Sequence, residues 1–192
     1  EAAGELKRIS AEVDPVLEIT EIADRSVKRG GPALLFENVK GHNIPLLINA
    51  LGSEKRMCMA LGVDTFETVA GRIRELLNLE MPTGLMDKLK RLPPLMKLAA
   101  IGPETVSTGP CKEVVVREGA TLDFIPALKC WPEDGGRYIT IPQVYTKDLS
   151  GKRNVGMYRL QIFDRETAGM HWHRHHDGAA HYREHARAGK RM

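Results

Sequence analysis

From about residue 105 onward the chain changes texture, and no other feature constrains its fold as much. Four β-rich runs, at 112–117, 122–128, 137–146 and 155–163, follow one another with Glu-Gly, Pro-Glu-Asp-Gly-Gly and Ser-Gly-Lys turns between them. Such spacing leaves no room for crossover helices, so the segment predicts a predominantly β layer. A layer of this kind without a closing partner would expose an edge and an apolar face. The expectation is therefore an opened barrel or sandwich, and a chain that forms the front portion of a larger protein.

The preceding half alternates helical and strand signals. Asp14-Pro15 opens a stretch in which Leu17, Ile19, Ile22, Ala23 and Val27 recur at near-helical spacing, and Gly30-Gly31-Pro32 ends it, which predicts a helix over 15–29. Ala33–Val39 and Pro45–Leu51 are short apolar runs bounded by Gly, Pro and Asn, and they read as buried strands. Ser53 is placed to cap a helix over 54–62, and Thr65 to cap a second whose apolar stripe is Phe66, Val69, Ile73, Leu76 and Leu77. A third helical pattern over 85–98 is divided by Pro93-Pro94. The fold class expected is α+β: an amino-terminal α/β domain over 1–104, then a β domain over 105–192.

Charge and cysteine usage exclude several classes of function. The formal charge of +3 is spread over interspersed acidic and basic residues, which argues against a nucleic-acid partner. Cys58, Cys111 and Cys130 are odd in number and widely spaced, which points to reduced thiols and a cytoplasmic location. No apolar run approaches the roughly 18 residues of a membrane span, and the first residues have no signal-peptide shape.

Candidate chemistry gathers late in the chain. Six of the 7 histidines lie between His171 and His185. On a strand, His171, His173 and His175 would share one face and could ligate a metal; on a helix, His181 and His185 would sit one turn apart. The bland alternative is a set of surface or stacking histidines. Just upstream, Asn154, Gly156 and Tyr158 would share one strand face while Val155, Met157 and Arg159 share the other. A bulge or close approach at Gly156 would be needed for Asn154 and Arg159 to converge; otherwise they are a turn residue and a solvated arginine.

Several runs together resemble one family. They are Gly31-Pro-Ala-Leu-Leu-Phe-Glu-Asn-Val-Lys-Gly41, Pro45-Leu-Leu-Ile-Asn-Ala-Leu-Gly-Ser53 with Arg56 and Met59-Ala-Leu-Gly62, Trp131-Pro-Glu-Asp-Gly-Gly-Arg-Tyr-Ile-Thr140, Asn154-Val-Gly-Met-Tyr-Arg159 and Trp172-His-Arg-His175. In this order they are similar to the UbiD family of decarboxylases, along the whole chain. The resemblance implies an amino-terminal α/β domain plus the opening of a split β-barrel, flavin-reductase-like domain. It implies non-oxidative, reversible decarboxylation of an aromatic or α,β-unsaturated carboxylic acid with prenylated FMN and Mn2+ or Mg2+, with K+ as a further ion. Carried over by position, Asn154 and His175 would be metal ligands, Arg159 the catalytic contact to cofactor and substrate carboxylate, and Gly156, Met157 and Thr140 cofactor-binding positions. The family's third metal ligand and its acid/base glutamates lie downstream of these motifs, so the segment alone is expected to lack turnover. A homo-oligomer of the full-length protein and a role in ubiquinone biosynthesis are further implications. Competing readings are a cupin-like, histidine-ligated metal oxygenase using His171, His173 and a later histidine, and a non-enzymatic flavin-binding module.

Overall fold

The computed structural model describes residues 1–77 and 104–192, so the helix expected over 85–98 lies outside the described residues. They form two compact units: Glu1–Ala50 with Gly119–Met192, and Leu51–Glu118.

The first unit begins with a β-α-β arrangement. Strand β1 (Leu6–Val13) leads into helix α1 (Glu18–Lys28) and then into β2 (Ala33–Val39), which pairs with β1 in parallel. Strand β3 (Leu46–Ile48) adds antiparallel to the other edge of β2. The predicted helix and both predicted strands are present, with β3 shorter than its apolar run. β1 was not legible in the sequence. Its residues Lys7, Arg8, Ser10 and Glu12 are exposed, and a register shift between Ile9 and Glu12 breaks its alternation. Helix α1 places Glu18 and Glu21 in its first turn and Arg25 and Lys28 in its last, each sign favoured by the helix dipole there. Its inner face buries Ile19 and Ala23. The core joins Val13, Ile19, Leu34, Phe36 and Val39 to Leu128 from the far part of the chain.

That connection is also made through the backbone. Leu17 N–H donates to the Lys129 carbonyl (2.9 Å), and Lys129 N–H donates to the Pro15 carbonyl (3.2 Å). Leu17 takes a positive φ of 70° to do so, a region that non-glycine residues rarely occupy.

The β-rich segment forms two small open sheets. β4 (Tyr138–Ile139), β7 (Leu160–Ile162) and β8 (Ala168–Met170) make one, in the order β4-β7-β8. β5 (Gln143–Lys147) and β6 (Arg153–Met157) make the other, an antiparallel hairpin. The run expected at 137–146 is divided at Pro142, which has no amide to donate to a ladder. The run at 155–163 is divided at Tyr158-Arg159, where the chain passes from one sheet to the other. The run at 122–128 is a short 3-10 turn over Leu122–Phe124, followed by Pro126 and a single bridge from Leu128 to Tyr138. Helix α4 (Asp177–Arg187) packs on the β5–β6 hairpin.

In the second unit Ser53 caps helix α2 (Glu54–Leu61), its hydroxyl accepting from Arg56 N–H at 3.2 Å, and Gly62 ends the helix in the left-handed conformation at φ 63°. Helix α3 (Phe66–Leu77) follows. The strand expected at 112–117 does not form: a 3-10 turn over Pro110–Lys112 leads into irregular chain, with Val114 78% exposed. β-branched residues favour strands only where a neighbouring strand and a surface accept them. Among the described residues no helix is long and apolar enough to cross a membrane.

Candidate active site

The β5–β6 hairpin keeps an uninterrupted register from Gln143↔Met157 to Lys147↔Arg153, so there is no bulge at Gly156. Strict alternation follows. Tyr145, Val155 and Met157 face outward, while Thr146, Asn154 and Gly156 face inward, toward α4. The close approach to Gly156 is made by the protein itself. The ring of Tyr158 folds back over it, and a Cβ at position 156 would lie 2.5 Å from the Tyr158 hydroxyl oxygen. Gly178, at the start of α4, also lies close against this ring, and its N–H donates to the Tyr158 hydroxyl (3.1 Å).

A chain of polar contacts runs through this inner face. Asn154 Nδ2 donates to the Tyr158 hydroxyl (3.2 Å) and to Thr146 Oγ1 (3.4 Å). Thr146 Oγ1 in turn lies 2.9 Å from His181 Nδ1, both residues being buried. Both hydrogen bonds of the Asn154 amide therefore leave from its nitrogen. The Tyr158 ring also meets Trp172 edge-on (6.0 Å between centroids) and His176 at 5.7 Å. His176 approaches His173 at 6.0 Å, and His173 stacks on His175 at 5.9 Å.

The strand expected to carry His171, His173 and His175 ends at Met170, and those histidines occupy an extended segment and a turn. His181 and His185 do lie one turn apart on α4, and each is held through Nδ1. His181 Nδ1 meets Thr146, and His185 Nδ1 meets the His181 carbonyl at 2.9 Å. Among the described residues no group of three His, Cys, Asp or Glu side chains is placed to hold a metal.

Arg159, the next residue after Tyr158, turns to the other sheet. Its guanidinium carbon lies 3.7 Å from the centroid of the Tyr138 ring, and its Nη2 is 3.4 Å from Asp134 Oδ1. Asp134 is itself fixed, its second oxygen accepting from Trp131 N–H at 3.1 Å. Arg159 Nε is buried without an acceptor. The guanidinium lines a cleft of about 340 Å³ together with Tyr138, Gln161, Phe163, Met170 and His171. Thr140, just past β4, and Met157, at the end of β6, are exposed. Of the sequence-predicted site residues, Asn154, Gly156 and His175 thus belong to one run of contacts centred on Tyr158. Arg159 belongs to another centred on Tyr138. Sequence reasoning missed Asp134, Tyr138, Thr146, Tyr158 and His181 as positioning groups. The face shared by Asn154 and Tyr158 pointed to Tyr158, the run Trp131–Thr140 contains Asp134 and Tyr138, and His181 stood out only as one of the clustered histidines.

Residues 1–76 match the family model described as the 3-octaprenyl-4-hydroxybenzoate carboxy-lyase N-terminal domain, and residues 104–192 match the 3-octaprenyl-4-hydroxybenzoate carboxy-lyase Rift-related domain. The chain belongs to the UbiD family. An uncharacterized protein of Aquifex aeolicus is 48% identical over 195 residues, covering 100% of this chain and 40% of its own. Another, from Archaeoglobus fulgidus, is 48% identical over 190 residues, covering 98% of this chain and 39% of its own. Among solved structures, the vanillic acid decarboxylase of Sedimentibacter hydroxybenzoicus in closed form is similar with a TM-score of 0.77 at 27% identity, over 98% of this chain and 38% of that one. An evolved dimeric form of the UbiD-class enzyme HmfF from Pelotomaculum thermopropionicum, in complex with prFMN, gives a TM-score of 0.75 at 26% identity, over 98% of this chain and 40% of that one. This UbiD-family chain spans about 40% of the length of the curated relatives it matches. Those two larger enzymes are matched over 40% and 38% of their own length.

Proposed function

We propose that this UbiD-family chain contributes the cofactor-facing part of a non-oxidative decarboxylase. Its substrate would be an aromatic or α,β-unsaturated carboxylic acid, with prenylated FMN and Mn2+ or Mg2+ as cofactors. Family membership and the FMN and prFMN complexes of its structural neighbours support the reading. Two features of the chain's own residues fit the groups involved. The nitrogen of the Asn154 amide is committed to two hydroxyls, which leaves Oδ1 as the atom free to meet a hard cation. The exposed imidazole of His175 supplies a second donor, and phosphate or water would complete the shell.

The observation that carries the proposal is Arg159. A guanidinium stacked on one aromatic ring, braced by one carboxylate, and left with a buried Nε–H lacking an acceptor is prepared for an incoming anion. Its planar fork matches a carboxylate or a phosphate, and Tyr138 and Asp134 fix the plane in which the anion is met. In decarboxylation the carboxylate leaves as CO2 and a proton takes its place, so the substrate must be held with its carboxyl group oriented. Arg159 orients it, while Phe163 and Met170 supply apolar wall. Prenylated FMN, when bound, would supply the electron sink for this chemistry. The resemblance gives it backbone contacts at Gly156 and Met157 and a further contact at Thr140.

The test is CO2 release by the full-length protein, reconstituted anaerobically. Arg159→Ala should reduce kcat/KM by about 10- to 100-fold, the loss of one or two charge-assisted hydrogen bonds. Arg159→Lys should recover little, because an ammonium has no planar fork. Undiminished turnover in Arg159→Ala would refute the assignment.

A further inference from the structure

Thr146 and His181 are buried polar side chains, at 5% and 9% exposure, in a part of the fold that apolar residues could fill. Buried polar pairs of this kind normally have a partner-specific reason to exist. Here the pair ends on the amide of Asn154, and a carboxamide presents its oxygen outward only if something holds its nitrogen inward.

The direction of the hydrogen bonds decides which atom that is. Thr146 Oγ1 lies between Asn154 Nδ2 (3.4 Å) and His181 Nδ1 (2.9 Å). A threonine hydroxyl has one proton to give. If that proton goes to an unprotonated Nδ1 on His181, the oxygen can only accept from its other neighbour, and the neighbour must be the NH2 of Asn154. If His181 instead carried its proton on Nδ1, the hydroxyl would be free to donate to Asn154, and the amide would settle with its oxygen inward. The Tyr158 hydroxyl, which accepts from Gly178 N–H (3.1 Å), meets the same Asn154 Nδ2 at 3.2 Å.

We propose that His181, as the tautomer with its proton on Nε2, acts through Thr146 as a positioning residue that locks the Asn154 amide with Oδ1 turned toward the divalent cation. The inference rests on the metal-ligand role given to Asn154 under the proposed function. It concerns two residues of the β5–β6–α4 contact to which neither the motifs nor the comparisons assign any part. Groups behind a first ligand typically change metal affinity by about 10- to 100-fold when removed.

The experiment is Mn2+ binding by the full-length protein in the presence of FMN, read as the loss of the free Mn2+ electron paramagnetic resonance signal. Melting of the metal-free form is followed in parallel. Thr146→Val, which removes the hydroxyl at constant shape, should weaken Mn2+ binding about tenfold or more. Thr146→Ser should restore it. His181→Leu should behave as Thr146→Val does, and His181→Asn, which keeps an acceptor near the position of Nδ1, should lie near the parent. Mn2+ affinity unchanged in folded Thr146→Val, while Asn154→Ala abolishes binding, would overturn the positioning role and leave the metal site standing. No Mn2+ binding by the parent, or undiminished binding by Asn154→Ala, would remove the metal site and the positioning role together. A measurement on the unmutated protein guards against variants that do not fold. Nitrogen NMR of 15N-histidine-labelled protein should show the proton of His181 on Nε2, and a proton on Nδ1 would overturn the inference.

Discussion

At the scale of single residues, two glycines and one tyrosine set the inner face of the hairpin. Gly156 and Gly178 leave a slot filled by the Tyr158 ring, which is 5% exposed and whose hydroxyl holds both Asn154 and the first turn of α4. A methyl group at position 156 would meet that hydroxyl at 2.5 Å and the ring carbons more closely, so the ring must move. Gly156→Ala should therefore destabilise the protein by about 1–3 kcal/mol, the usual cost of overpacking. It should also weaken whatever Asn154 binds. Thermal melting checks the first effect, and a midpoint equal to the parent's would show that the slot tolerates the methyl. Alternation placed Asn154, Gly156 and Tyr158 on one side from sequence alone. What sequence could not give was the identity of the group approaching Gly156. Period-2 patterning says that a face is shared but not what lies across it, and the occupant is the tyrosine two residues later, made accessible by the chain leaving the hairpin at that point.

At the scale of elements, the turn of the hairpin carries a pH-dependent part of its stability. Asp148 Oδ1 accepts from the Ser150 hydroxyl (2.7 Å) and from Lys152 N–H (2.8 Å). The Ser150 hydroxyl above all, with the backbone amides of Lys152 and Ser150, holds the Asp148 carboxyl below the ordinary value of 3.8. A carboxylate favoured in the folded state adds stability above its unfolded pKa, and that contribution is lost as the pH falls through the folded value. Hydrogen-exchange protection of the β5–β6 amides should thus fall as the solution is acidified below 3.8. In Asp148→Ala that dependence should be flattened, and an identical acid profile in the two proteins would exclude the turn as its source. Elements bounded by local chemistry were the readable ones. Ser53 and Gly62 announce the ends of α2, and Gly30-Gly31 the end of α1. Elements that depend on a distant partner were not readable. The valines at 114–116 have strand propensity and, among the described residues, no strand beside them, whereas β1, polar along much of its length, is a strand because β2 pairs with it.

At the scale of the whole molecule, the segments before residue 51 and after residue 118 fold as one unit, and Leu128 sits in the same core as Ile19, Phe36 and Val39. A division at 104/105 follows the change of texture along the chain. Texture cannot register that Pro15–Leu17 and Lys129 exchange backbone hydrogen bonds, because such pairing is set by tertiary contact. The consequence is a mechanical link between the amino-terminal core and the sheet that carries Arg159. Leu128 accepts from Tyr138 N–H at 2.9 Å, and Tyr138 is the ring on which the guanidinium rests. Phe36 is fully buried, and its replacement by alanine should cost about 3–5 kcal/mol through lost burial and the cavity left behind. If the core and the sheet are one cooperative unit, Phe36→Ala should lower the hydrogen-exchange protection of Lys129, Tyr138 and Ile162 by the same free energy as that of Leu34 and Val39. Loss of protection confined to the β1–β2–β3 sheet would show instead that the two parts open separately. The orientation of Arg159 would then be governed by its own sheet, through Tyr138 and Asp134, without support from the amino-terminal core.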